Sequence, residues 1–275
     1  MKITAFEQGG EKYIGAIDPE GSIQVLSEIG QFWREPEKTL NSTAQKDRRT
    51  AKLGNVKEIP ALPDYAKVIC VGLNYRLHAK EANLPVPSTP VIFSRWASTL
   101  AADGQPAPLI EEKFDWEGEL GVVIGRPLFR VSAERATSGI FGYVAFNDLS
   151  ARSFQMQTSQ WTMGKNSPAS GPMSSITTRD EVGDLTRGLR LTTKVNDKIM
   201  QDSLTSDMIF TVPQVIAHVS QVIQLEPGDL IITGTPSGIG HATGHYLRVG
   251  DRVEVEIERV GRVRTPIVAP PDPVI

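Results

Sequence analysis

Residues 114–125 read FDWEGELGVVIG, with two glutamates two positions apart at the start of an apolar run. In a strand alternate side chains share a face, so Trp116, Leu120 and Val122 are expected on one side and Glu117, Glu119 and Val123 on the other. The two carboxylates are then neighbours. At ~5 Å and an effective dielectric of ~20, such a pair costs roughly 3 kcal/mol in repulsion unless water or a cation intervenes. A solvated strand end relieves the repulsion by screening, a divalent cation by charge. A third acid shifts the balance toward the cation: Asp148 closes another apolar run in GYVAFNDLSAR (142–152), and polar residues suited to a cleft follow it. Three carboxylates suit hard Mg²⁺, Mn²⁺ or Ca²⁺, and the lack of a good Cys/His cluster argues against zinc.

Working outward, strands are expected in KVICVGL (67–73), VIFSR (91–95), ELGVVIG (119–125), GYVAFND (142–148), RLTTKVN (190–196), DLIITGT (229–235) and DRVEVEIERV (251–260). One long helix is equally clear in SDMIFTVPQVIAHVSQVIQLEPGD (206–229). Thr211 can cap it, Pro213 suits its first turn, and Val212, Val215, Ile216, Val219 and Ile223 recur at helical spacing until Pro227-Gly228. Shorter helices are expected at 78–83 and 132–138. Strands outnumber helices and do not alternate regularly with them, which predicts a β-rich α+β core rather than a doubly wound parallel sheet. The first 45 residues carry hairpin-like pieces (KITAF, YIGAI, SIQVL), and about 46–66 reads as a surface linker. The chain is therefore divided into a small accessory unit with its linker, 1–60, and a main domain, 61–275.

The chain has 275 residues, enough for a substantial core, and a net charge of −3 with acids and bases interspersed. No one-sided basic footprint suggests a nucleic-acid partner. The N-terminus lacks a long apolar leader and no run approaches the roughly 20 apolar residues that span a bilayer, so no membrane is expected and the cytoplasm is the expected location. Cys70, the only cysteine, sits in an apolar run and is expected to pack as a small hydrophobe.

In GLNYRLHAKEA (72–82), a helical turn starting near His78 places Glu81 at i+3, where it can orient and polarise the imidazole as a general base for water. The competing reading is a solvated surface pair. His218 is expected on the polar face of the long helix, and His241 and His245, in the glycine-rich GHATGHY, on a surface loop. GTPSG (234–238) is not a nucleophile elbow, because Ser237 falls one position late. Nucleotide-binding glycine motifs are missing too. The loop TGTPSGIG, with Thr235, reads either as an anion site built from backbone amides or as a glycine-rich connection.

Taken together, ICVGLNYRLHAKE, FDWEGELGVVIG, GYVAFNDLSARSFQ, QWTMGK, NDKIMQDSLTSDMIF, LEPGDLIITGTPSGIG and LRVGDRVEVEIERVG resemble the fumarylacetoacetate hydrolase family, in its order and over about 67–268. The resemblance implies a β-sandwich-like roll with a small N-terminal domain, a divalent metal at one mouth, and a homodimer. It implies that Glu117, Glu119 and Asp148 bind the metal and that His78 and Glu81 activate water. Arg152, Gln155 and Lys165 would hold substrate oxygens, with Lys165 also stabilising enolate charge, and Thr235 would contact the substrate carboxylate or carbonyl. The reaction implied is hydrolysis of a carbon–carbon bond in a small 2,4-diketo acid, an acylpyruvate or fumarylpyruvate. The family also holds lyases and isomerases, which use the same enolate logic on oxaloacetate-like acids and unsaturated oxo-diacids. The chain departs from the family after Lys165, where NSPASGPM (166–173) lacks the usual aromatic and acid; that segment is expected to border the substrate pocket.

Overall fold

The computed structural model describes residues 1–41 and 49–272. Its main element is an eleven-stranded sheet, antiparallel except where Leu230–Ile232 runs parallel to Val68–Gly72. Gly118–Ile124 sits in the middle of this sheet, between Ile140–Asn147 and Leu230–Ile232. A second sheet of five strands carries Lys198–Leu204, Arg190–Val195, Arg252–Ile257, Gly261–Val268 and Ala107–Pro108 in that order. The chain is thus the β-rich α+β protein expected. Three of these strands escape the sequence reading: in Lys198–Leu204 and Gly261–Val268 charge dilutes the apolar alternation, and Ala107–Pro108 is too short to show one.

The central strand separates two apolar layers through the two-residue alternation of its side chains. Leu120, Val122 and Ile124 face Val255, Ile257 and Val263 of the second sheet, together with the helix Val212–Ser220. Val123, on the opposite face, joins Val144, Phe146, Cys70 and Ile232. The helix begins as its sequence requires: the Thr211 N–H donates to Gln214 Oε1 at 2.9 Å, one arm of a capping box, and Pro213 lies in the first turn. It ends at Ser220, one turn before the apolar spacing does.

The N-terminal hairpins continue the main sheet, with Lys2 opposite Thr177 and Ile3 opposite Ile176. Phe32 and Trp33 pack edge-on against Phe141, and the Trp33 indole N–H donates to the Ala61 carbonyl at 3.1 Å. The expected linker contributes two short strands: Thr50–Lys52 pairs with Ser22–Gln24, and Lys57–Ile59 with Ala5–Glu7. Residues 46–48 of that stretch lie outside the described residues. Its charged side chains had suggested a draped connection, but short edge strands tolerate charge on their exposed face. Cys70 is fully buried, and burial pushes its thiol well above the ordinary range. No helix among the described residues is long and apolar enough to cross a membrane.

Two local differences bear on the site. The strand alternation expected from Trp116 onward is interrupted: Phe114–Asp115 pairs with Ser150–Ala151, Trp116 and Glu117 are irregular, and the long strand begins at Gly118. Gly118 then passes so close to the second sheet that a Cβ there would lie 2.1 Å from Thr193 Oγ1 and 3.2 Å from Gln201 Oε1. Gly118→Ala should therefore force the two sheets apart and lower stability by about 1–3 kcal/mol. Urea unfolding measures this, and an unchanged midpoint would contradict the contact.

Candidate active site

The strand break brings the acids together. The Asp148 N–H, just past the end of Ile140–Asn147, donates to the Glu117 carbonyl at 2.8 Å, which locks the two segments side by side. Carboxylate oxygens of Glu117, Glu119 and Asp148 then lie within 4.8 Å of one another, all three side chains buried. The solvated reading of the glutamate pair is excluded by this burial.

Cations surround the cluster unevenly. Lys165 Nζ donates to Glu117 Oε2 at 2.7 Å and to Asp148 Oδ2 at 2.8 Å, and it lies 5.3 Å from the centre of the Phe93 ring. Arg95, absent from the sequence reading, donates to Asp148 Oδ1 at 2.6 Å. Arg152 Nη2 stands 2.7 Å from both Glu117 Oε1 and Asp115 Oδ2, ion-pair distances at angles too bent for good hydrogen bonds. Glu119 has no lysine or arginine partner among the described residues; it accepts the Gly234 N–H at 2.5 Å.

This asymmetry sets the proton affinities. For Glu117, burial works against the charged form, but Lys165 and Arg152 overcome it and hold the carboxyl at about 2. For Lys165, burial favours the neutral amine, yet Asp148 and Glu117 outweigh it and keep the ammonium. Glu119 goes the other way: burial, then the charges of Asp148 and Glu117, push its carboxyl well above the ordinary range. A buried acid in this state gives up its proton readily only when a cation binds beside it. The all-oxygen donor set and the uncompensated carboxylate fit a hard divalent ion, with Glu117, Glu119 and Asp148 as the residues that would hold it.

The remaining residues meet in the same cavity, of about 470 Å³, lined among others by His78, Glu81, Glu117, Arg152, Lys165 and Thr235. His78 and Glu81 lie on the short helix Arg76–Glu81, two residues earlier than the expected span. His78 Nδ1 is 3.2 Å from Glu81 Oε2, and the other Glu81 oxygen accepts the Gly238 N–H at 2.9 Å. The glycine-rich loop thus fixes the carboxylate that fixes the imidazole. The Gln155 side-chain carbonyl accepts from Arg152 Nη1 at 2.8 Å. The Thr235 hydroxyl donates to the Gly118 carbonyl at 3.0 Å and accepts from Gln201 Nε2 at 2.8 Å, so its proton is already committed.

Three placements differ from expectation. Residues 166–173 do not line the cavity; they sit behind the cluster, where Ser170 Oγ accepts from Arg95 Nη2 at 2.5 Å. His241 is not on a loop but on a helical turn, Gly240–Thr243, and its ring lines the cavity with Nδ1 3.1 Å from the Tyr246 hydroxyl. Asp115, inside the opening stretch yet passed over, is a fully buried hub. It accepts the N–H groups of Trp116, Gly240 and His241 at 2.7–2.9 Å and Arg152 Nε at 2.8 Å. Strand alternation assigned Asp115 no role because the break at 116–117 is invisible in the spacing.

A model of the fumarylacetoacetate (FAA) hydrolase C-terminal region matches residues 67–268. The chain is 39% identical over 281 residues to a 2,4-didehydro-3-deoxy-L-rhamnonate hydrolase of Sphingomonas sp. (strain SKA58), covering 96% of this chain and 95% of the relative. It is 34% identical over 278 residues to the human mitochondrial oxaloacetate tautomerase FAHD2A, covering 94% and 84%. Among solved structures, the 5-carboxymethyl-2-hydroxymuconate delta-isomerase of Mycobacterium smegmatis superposes with a TM-score of 0.81 at 30% identity, covering 98% of this chain and all of that one.

If Glu119 holds a proton until a cation displaces it, metal binding releases protons and affinity rises with pH. Calorimetric titration of Mn²⁺ in two buffers of different ionisation enthalpy reads that release. Equal heats in both buffers, with affinity flat across pH, would show that Glu119 is already ionised.

Proposed function

The chain belongs to the fumarylacetoacetate hydrolase family, and from that premise we propose that it is a divalent-metal-dependent hydrolase cleaving the carbon–carbon bond of a small 2,4-dioxo acid. The observation that carries this reading is the His78–Glu81 pair sharing one cavity with Glu117 and Glu119 of a buried three-carboxylate cluster. The near full-length likeness to a hydrolase of a 2,4-didehydro-3-deoxy sugar acid supports it.

When bound by Glu117, Glu119 and Asp148, a divalent ion such as Mg²⁺ supplies Lewis-acid polarisation of substrate oxygens and neutralises charge. The chain's own groups do the rest. Arg152, steadied by Asp115 and by Gln155, faces the substrate carboxylate. With Nδ1 held by Glu81, His78 presents its other ring nitrogen to a water molecule and takes its proton as the oxygen adds to the C4 carbonyl. The C3–C4 bond then breaks, C4 becomes the carboxyl carbon of one product, and the electron pair passes to C3 as an enolate. Lys165, which has donated two of its three N–H groups to Glu117 and Asp148, has one left to stabilise that developing charge. The proton on His78 returns to C3 and closes the cycle. A homodimer, as the family resemblance implies, is part of this proposal.

A tautomerase or isomerase reading is favoured by the human and mycobacterial relatives, and here the same imidazole would move a proton at C3 with no water added. Products separate the two. Turnover of acetylpyruvate, fumarylpyruvate and oxaloacetate in ¹⁸O-water, with Mg²⁺ or Mn²⁺ and again with excess EDTA, should show metal-dependent cleavage of an acylpyruvate with one labelled oxygen in the new carboxylate. Keto–enol exchange or CO₂ release alone would move the assignment to a tautomerase or a decarboxylase. His78→Ala should lower kcat by about 10²–10⁴-fold while metal affinity is unchanged, as calorimetry would show. Full turnover in this variant would remove His78 as the base.

A further inference from the structure

Sorted by charge, the cavity wall has two parts. Its polar part holds Glu117 and Glu119 of the acid cluster, Arg152, Lys165, Gln155, Thr235 and the His78–Glu81 pair. Both of its permanent cations are buried and already ion-paired, Arg152 with Asp115 and Glu117, Lys165 with Glu117 and Asp148. Apart from His241 at the rim, the rest of the wall is apolar: Leu73, Leu84, Phe93, Met156, Trp161 and Ile239 are among its large side chains. Phe93 and Trp161 meet edge to face at 5.1 Å, and a Cβ on Gly72 would lie 2.4 Å from the Trp161 ring, so this ring is wedged in place. Leu84 and Met156 are 48% and 66% exposed, large apolar groups at a mouth that a ligand would cover.

No further lysine or arginine lines the cavity among the described residues. Arg76 and Lys80 share the helix of His78 but are exposed and lie outside the lining. His241 lines the rim; burial and then the nearby Arg152 lower its proton affinity, which weakens it as a partner for a second carboxylate. The buried charges agree with this picture. Asp115, Glu117, Glu119 and Asp148 face Arg95, Arg152 and Lys165, and the half-buried Glu81 adds a further acid to the same wall. With all of these ionised, a divalent ion only brings the site to neutrality and leaves no positive charge for a second carboxylate.

We infer that the substrate is a monocarboxylate, a 2,4-dioxo acid whose acyl tail carries no charge and lies along the Phe93–Trp161–Leu84–Met156 wall, and that a second carboxylate beyond C4 is rejected. The identity of the reacting carbons rests on the hydrolase reading above; the charge preference does not. A second carboxylate would lose its water against apolar side chains without finding a partner, the arrangement by which sites discriminate most strongly.

The test therefore reads binding as well as turnover. Calorimetry on the Mn²⁺-loaded protein compares 2-oxohexanoate with 2-oxoadipate, which differ only in the distal group, and kcat/KM is compared for acetylpyruvate and fumarylpyruvate. The monoacid of each pair should be favoured by at least about tenfold. Met156→Lys, which places a cation on the apolar wall, should narrow both gaps severalfold. Equal or tighter binding of 2-oxoadipate, or gaps that Met156→Lys leaves unmoved, would overturn the inference. If neither acylpyruvate is cleaved while the binding preference stands, the hydrolase reading falls and the charge preference survives.

Discussion

Three carboxylates buried within one ion's reach of each other constrain everything around them. Burial alone would drive all three to hold protons, because a low-dielectric interior penalises each charge and neighbouring charges add to the penalty. The chain offsets two of them with Arg95, Arg152 and Lys165 and leaves Glu119 uncompensated. Removing one partner from such a network leaves an isolated buried charge, which costs far more than the pair contributes. The second sheet, the glycine-rich loop and the break before Gly118 are therefore fixed as much by the need to hold these charges in place as by apolar packing. Asp115 shows the principle at one remove, since a single carboxylate aims Arg152 and pins the Gly240 and His241 backbone to it.

Much of this was legible in the sequence, for identifiable reasons. The central strands announce themselves because they are buried on both faces and read as near-continuous apolar runs. Glu117, Glu119 and Asp148 stand out because charge at the end of such a run is costly, and His78 with Glu81 because three residues span one helical turn. What stayed hidden depends on contacts between distant segments. Arg95 ends an ordinary-looking strand and becomes part of the site only when Asp148, 53 residues on, folds against it. Gln201 is the one fully covered side chain in an otherwise half-exposed strand, and nothing in its neighbours signals that it holds Thr235 and Gly118. The 166–173 segment looked like a pocket wall because of its position after Lys165, whereas its contacts run through Ser170 to the rear of the cluster.

The same geometry explains why a family with this site can hold hydrolases, isomerases and tautomerases. A polarised dioxo acid has an acidic C3 and an electrophilic C4, and an imidazole oriented by a carboxylate can serve either by moving a proton at carbon or by delivering one from water. Which outcome follows depends on whether water or the carbon acid occupies the space above His78. The groups bordering that space besides the acids are the apolar wall and the rim turn at Gly240–Thr243.

Glu119, which among the described residues has no lysine or arginine beside it, is the carboxyl placed to receive a cation. Anomalous diffraction from crystals of the protein grown with Mn²⁺ tests it most directly. The account requires one manganese peak within bonding distance of oxygens from Glu117, Glu119 and Asp148, with Lys165 still paired to the cluster. A peak elsewhere, or an empty cluster beside millimolar Mn²⁺, would contradict it and leave the buried acids to be explained as a proton-sharing network.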